Sequence, residues 1–97
     1  MNGSEMSGFM EAIKRLHGCD SLHIETVRIL EQDAGGRTLW EGDVQVFELR
    51  DHFKASRCYA WLGSREGQFV VILQSERVDS PRKAVQSRIV LGSKRHD

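Results

Sequence analysis

Two cysteines and four histidines carry the clearest capacity for chemistry in this chain, because thiolates and imidazoles bind metals and serve in nucleophilic catalysis. Cys19 lies between His17 and His23, where a predicted helix ends and a predicted strand begins. The ligands of structural zinc sites normally come in pairs at short, fixed spacing, and this spacing matches no established zinc pattern. The sequence therefore predicts no metal site and no cofactor.

A nucleophilic cysteine requires a base that holds the thiolate, and a histidine could serve either Cys19 or, from His52, Cys58. Cys58 alternates with Ala60 along one face of a predicted strand, which is the position of a small core residue. Core packing is therefore the favoured role of Cys58, and a thiol-dependent enzyme ranks last among the function classes. We expect both cysteines to be reduced thiols in a cytoplasmic protein.

Arg57, Tyr59 and Trp61 alternate along the same predicted strand and form a basic and aromatic row on its other face. Such a row can stack on bases or hold a peptide. Two short helices can cover one side of a four-stranded sheet but hardly both. We therefore expect the row to be exposed as an interaction surface; the alternative is that a second layer covers it.

Ser80, Arg82 and Lys83 stand at the start of the last predicted helix. Together with the free backbone N–H groups of a first helical turn, they could receive an anion such as phosphate or a partner's carboxylate. The alternative, which the sequence favours, is a solvated helix face. No glycine-rich phosphate loop and no Ser/His/Asp signature appears in the sequence.

The charge of the chain is balanced in total but divided along its length. The chain has 14 basic and 14 acidic residues; residues 1–49 hold four basic and nine acidic side chains, net −5, and residues 50–97 hold ten and five, net +5. A zero net charge argues against a dedicated duplex-binding protein. Two halves of opposite charge suit self-association or an anionic ligand.

Hydrophobic periodicity predicts a helix, four strands and a second helix, in that order. Ser7 is predicted to cap a first helix over 8–17, Gly18 is predicted to take the left-handed conformation just past its end, and the second helix is predicted over 81–91. A phase slip in the first strand predicts a β-bulge near Thr26 and Val27. Two glycine-containing turns, 33–36 and 63–67, predict two hairpins.

These elements predict one α+β domain over residues 7–92, with a disordered tail at 1–6 and a frayed tail at 93–97. Its architecture is a four-stranded antiparallel sheet in the order α-β-β-β-β-α, with both helices packed on one face. The longest apolar run is five residues, at 69–73, so we expect no membrane span.

Five stretches resemble a family of short, uncharacterised bacterial proteins: LHG at 16–18, LWEG at 39–42, VFEL at 46–49, KASRCYAW at 54–61, and VDSP at 78–81 followed by AV at 84–85. The resemblance covers nearly the whole chain from residue 9 to 90 and implies a self-contained bacterial domain, without an activity, ligand or catalytic residue. Phe53 stands where the family pattern has proline after His52.

The order helix, antiparallel sheet, helix also resembles the double-stranded RNA-binding domain. In that family, basic residues at the start of the last helix face phosphates, and Ser80, Arg82, Lys83 and Ala84 occupy a comparable stretch here. The predicted sheet has one strand more than that family, and its groove-reading loop is not recognisable.

The sequence thus favours a small non-catalytic interaction module that binds an unidentified protein or, as a homodimer, itself. Weak binding of nucleic acid or another anion through the basic C-terminal half is the first alternative. A thiol-dependent enzyme is the second.

Any RNA or DNA binding by this chain is expected to be weak and to be lost at about 150 mM salt, because nearby carboxylates offset the basic side chains of the C-terminal segment. A titration of duplex RNA and DNA at increasing salt measures this directly. Tight binding that persists at that salt concentration would place the anion binder first.

Overall fold

Alternating apolar residues and two glycine-containing turns fold the middle of the chain into two β-hairpins. The computed structural model describes residues 3–65 and 67–94. Along the chain the elements are α1 (Gly3–His17), β1 (Ser21–Gln32), β2 (Thr38–Leu49), β3 (Arg57–Leu62), β4 (Phe69–Leu73) and α2 (Pro81–Lys94). The strands form one antiparallel sheet in the order β1-β2-β3-β4, which confirms the predicted α-β-β-β-β-α order and the α+β class.

The two helices pack on opposite faces of the sheet, so the prediction that they share one face is wrong. Phe9 and Ile13 of α1 pack against Phe47, whereas Val85 of α2 packs in a separate cluster with Val46. Adjacent strand residues point to opposite faces, and both faces of the central strands are apolar. A helix on each side is therefore what buries the sheet; we call these sides the α1 face and the α2 face.

The end of α1 and the start of α2 lie where the sequence predicts them. The start of α1 and the end of α2 lie farther out than predicted. The predicted left-handed position of Gly18 is confirmed by its φ of 70°, and its N–H donates to the carbonyl of Lys14 over 2.8 Å. α1 begins at Gly3, so Ser7 lies inside the helix and is not its cap, and residues 3–6 are helical rather than part of a tail. Residues 1 and 2 lie outside the described residues.

α2 begins as predicted at Pro81, where the Ser80 hydroxyl oxygen accepts the Lys83 N–H over 3.2 Å. It ends at Lys94 rather than near residue 91, so the helix includes residues 93 and 94 of the predicted tail. Residues 95–97 of that tail lie outside the described residues. Neither helix in the described ranges combines the length and apolar character that crossing a membrane requires.

β1 contains a bulge, but two residues before the predicted position. The register shifts between His23, opposite Phe47, and Glu25, opposite Val46, so Ile24 is the extra residue. One extra residue changes the phase of the side chains. The bulge thereby places Leu22 and Ile29, which are an odd number of residues apart, on the same α2 face.

Replacing Phe47 by Ala is expected to lower the free energy of unfolding by about 3–5 kcal/mol, because its ring is fully buried beside Phe9 under α1. Phe53, which is 88% exposed, provides the control: Phe53→Ala should change stability by less than about 0.5 kcal/mol. Urea denaturation of the two variants measures the difference, and equal effects would contradict the assignment of the core.

Candidate functional site

The predicted aromatic row is buried, so the prediction that it forms an exposed interaction surface is wrong. Tyr59 and Trp61 are only 2% and 4% exposed and belong to the same core cluster as Val85 of α2, whereas Arg57 is exposed. Burial raises the pKa of the Tyr59 hydroxyl. The alternative, that a second layer covers the row, is therefore correct, and that layer is α2.

The predicted anion-binding residues are engaged with groups of the same chain. Arg82 Nη1 donates to Glu31 Oε1 over 2.9 Å and to the Leu30 carbonyl over 3.0 Å, and Lys83 pairs with Asp79 over 2.9 Å. The hydrogen bond from Lys83 lowers the pKa of the Asp79 carboxyl. These contacts reduce the positive charge available to an anion, and the Arg82–Glu31 pair joins the acidic and basic halves within one chain.

The cysteines are buried free thiols of the α1-face core, and their surroundings disfavour the thiolate. Burial raises the pKa of Cys58 to about 12 and also raises the pKa of Cys19. The imidazole of His17 packs edge-on against His52, with ring centroids 6.0 Å apart. In the part of the chain that the structure describes, no group of three or more His, Cys, Asp or Glu side chains could hold a metal ion.

An opening in the sheet lies between β2 and β3. β2 pairs with β3 only from Gln45 to Glu48, whereas its pairing with β1 continues to Thr38. A cleft of about 380 Å³ opens where the last two residues of β3, Trp61 and Leu62, no longer pair with β2. We call it the β2–β3 cleft; it is lined by Phe9, Trp40, Glu41, Gly42, Asp43, Gln45, Trp61 and Leu62.

The backbone of β2 turns hydrogen-bonding groups toward this cleft. The Leu49 N–H donates to the Ser56 carbonyl over 2.8 Å, so the backbone groups of Leu49 point to the β3 side. In an antiparallel strand every second residue points the same way, and β2 has no extra residue from Leu49 back to Trp40, because the bulge at Ile24 lies in β1. The N–H and C=O groups of Glu41 and Asp43 therefore face the cleft.

Two carboxylates make the α1-face wall of the cleft acidic. Arg28 Nη2 lies 3.1 Å from Glu41 Oε2, and Arg28 Nη1 lies 3.3 Å from Asp43 Oδ1. Both carboxylate side chains remain about half exposed, at 50% and 51%. Because one guanidinium faces two carboxylates, the wall keeps a net negative charge.

The α2-face wall of the cleft is aromatic. Trp40 and Trp61 meet edge to face with their ring centroids 5.8 Å apart. The Trp40 ring also lies over Gly42, where an added Cβ would be 3.0 Å from the ring atom Cη2. The missing side chain at Gly42 therefore leaves room for a tryptophan ring.

A buried polar side chain, Gln45, lies at the closed end of the cleft. Its Oε1 accepts hydrogen bonds from the Thr26 hydroxyl over 2.5 Å and from His23 Nε2 over 2.8 Å. Both contacts reach the same amide oxygen, so the amide nitrogen of Gln45 is turned away from Thr26 and His23. Gln45 Nε2 is left without an acceptor among the described residues, which costs about 1–3 kcal/mol.

Sequence reasoning found only part of this site. Gly42 in the middle of a predicted strand indicated a bulge or a close approach. The end of β2–β3 pairing had no local signal, because it depends on where the β3–β4 hairpin turns away from β2.

Comparisons of the chain with protein-family models, with characterised proteins and with solved structures found no match. The two resemblances noted in the sequence therefore stay predictions.

Cys58 is expected to resist a thiol reagent at pH 8 in a Cys19→Ala variant, and to react fully once the chain is unfolded in guanidinium. The raised pKa keeps the folded thiol protonated at a pH where an ordinary thiol, with a pKa of about 8.5, is partly thiolate. The Cys58→Ala variant is the control, in which the shallower Cys19 should react faster than Cys58 does. Rapid reaction of Cys58 in the folded chain, already at pH 6, would instead support a thiol-dependent enzyme.

Proposed function

We propose that this chain is a small non-catalytic interaction module that binds a second copy of itself through the open edge of β1. The observation that carries the proposal is the length of that edge. β1 is 12 residues long and lies at one margin of the sheet, whereas β4, at the other margin, has five residues. A long edge strand presents unpaired N–H and C=O groups that can pair with another chain.

The composition of β1 also favours pairing. Edge strands are commonly protected from association by lysine, proline or a β-bulge; β1 contains neither lysine nor proline, and its bulge at Ile24 lies near one end of the strand. It exposes three large apolar side chains, Leu22, Ile24 and Leu30. Burying these side chains against a partner removes apolar surface from water, which stabilises a dimer.

The backbone of β1 restricts how two copies can pair. The Leu30 carbonyl accepts a hydrogen bond from the Arg82 side chain, so the backbone groups of Leu30, and by alternation those of Arg28 and Thr26, point to the outer edge. A two-fold antiparallel pair must place such outward-facing residues opposite one another.

The two-fold axis of such a pair can pass through any of several residues of β1. The contacts at each of these centres favour one of them. Centring on Arg28 would set two arginines directly opposite each other, which is destabilising. Centring on Ile29 would require the Leu30 carbonyl to accept a hydrogen bond from the partner strand. That carbonyl already accepts a hydrogen bond from the Arg82 side chain. Centring on Val27 sets Thr26 opposite the partner's Arg28, and we propose this register.

We further propose that the module acts in the bacterial cytoplasm. The two free cysteines support a reducing compartment, since disulfides rarely persist there and neither thiol is paired. The bacterial origin rests on the sequence resemblance.

Val27→Cys, in a background where both native cysteines are alanine, is expected to form a covalent dimer on mild oxidation. At the two-fold axis the two Cα atoms would lie about 4.5 Å apart, within the range of a disulfide. Leu39→Cys in the same background is the control: Leu39 is more exposed than Val27 but lies on β2 rather than at the β1 edge, so exposure alone would favour cross-linking of the control.

Sedimentation of the unmodified chain tests the dimer itself from micromolar to near-millimolar concentration. The proposal requires a species of twice the 11.1 kDa protomer mass that dissociates on dilution. A single 11.1 kDa species throughout, or equal cross-linking of the two cysteine variants, would overturn it.

A further inference from the structure

We propose that the β2–β3 cleft is a second binding site, separate from the β1 edge, and that it takes an extended peptide segment in which basic residues alternate with apolar ones. The peptide would add as a strand to the free stretch of β2, antiparallel to it. Three features of the cleft favour this ligand: its open backbone groups, its acidic wall and its aromatic wall.

The backbone groups provide the attachment. The N–H and C=O groups of Glu41 and Asp43 point into the cleft, because β3 pairs with β2 only from Gln45 onward. Strand addition uses such groups for main-chain hydrogen bonds and uses alternate side-chain positions for specificity. The free stretch from Thr38 to Asp43 spans about 20 Å, enough for a segment of five or six residues.

The acidic wall selects basic residues two positions apart. Side chains directly opposite one another in an antiparallel pair lie on the same face, so the peptide residues opposite Glu41 and Asp43 meet these carboxylates. Arg28 approaches the same carboxylates from β1, on the other side of β2, and leaves one negative charge uncompensated. A lysine or arginine at each of the two peptide positions complements the wall.

The aromatic wall selects an apolar residue between the two basic ones. That residue is opposite Gly42 on the α2 face, where the Trp40 ring lies over the strand and meets Trp61. Glycine has no side chain to fill this position, so an aliphatic side chain of the peptide can contact the rings. The stems of the flanking basic residues add apolar contact of their own.

The closed end of the cleft supplies a hydrogen-bond donor. Gln45 Nε2 has no acceptor among the described residues, while Oε1 of the same side chain is held by Thr26 and His23 on the β1 side. A buried donor of this kind is rare in folded proteins. A peptide carbonyl that enters the closed end provides its acceptor.

The test uses a blocked pentapeptide in which arginine alternates with valine, and a control peptide of the same composition with the three arginines before the two valines. We expect the alternating peptide to change the tryptophan fluorescence and to slow hydrogen exchange of the Glu41 and Asp43 N–H groups. The variant E41Q/D43N should bind it at least about tenfold more weakly. The variant E25Q/E48Q removes the same number of exposed carboxylates from the α2 face and should bind it as the unmodified chain does.

Three outcomes would overturn the proposal. Equal binding of the two peptides would show attraction by charge alone, and equal loss in the two double variants would remove the cleft as the site. Slowed exchange at Glu41 and Asp43 in the chain alone, rising with its concentration, would make a second copy of the chain the occupant. The proposed dimer at the β1 edge is tested separately, by the cross-linking of Val27→Cys.

Discussion

The apolar character of both faces of the central strands is the constraint on which the rest of this structure depends. Val46 and Phe47 are neighbours in β2, and both are fully buried, which is possible only if each face of the sheet has its own cover. α1 and α2 provide these covers with Phe9 and Val85. Their placement on opposite faces buries Tyr59 and nearly all of Trp61, so the aromatic row of β3 is not exposed as a surface of its own.

Unequal strand lengths explain the surfaces that remain open. β1 and β2 have 12 residues each, whereas β3 and β4 have six and five. The first hairpin therefore extends beyond the second, and β2 pairs with β3 only as far as Gln45, which leaves Glu41 and Asp43 without a partner in β3. The same length gives β1 its long outer edge. Both proposed binding sites follow from one geometric fact, and both use backbone groups that the sheet itself does not satisfy.

Polar contacts join the two strands of the long hairpin to each other and tie the hairpin to α2. Gln45 holds Thr26 and His23 across the strands, and Arg82 of α2 reaches Glu31 near the end of β1. The Arg28 pairs with Glu41 and Asp43 are exposed and contribute little to stability, since ion pairs in water are worth at most about 1 kcal/mol. These pairs matter for binding, because one arginine facing two carboxylates leaves one net negative charge at the cleft.

The order of elements and the positions of turns and inner helix ends were predictable, because Gly18, Pro81 and the alternation of apolar residues act locally. The bulge was visible only as a phase slip, and its place at Ile24 required the register against β2. The face chosen by each helix, the burial of Tyr59 and Trp61, and the pairing of Arg82 with Glu31 all join residues far apart in the chain. Tertiary structure alone decided these features and the opening of the β2–β3 cleft, because they depend on which surfaces meet when the chain closes and not on the preferences of any single segment.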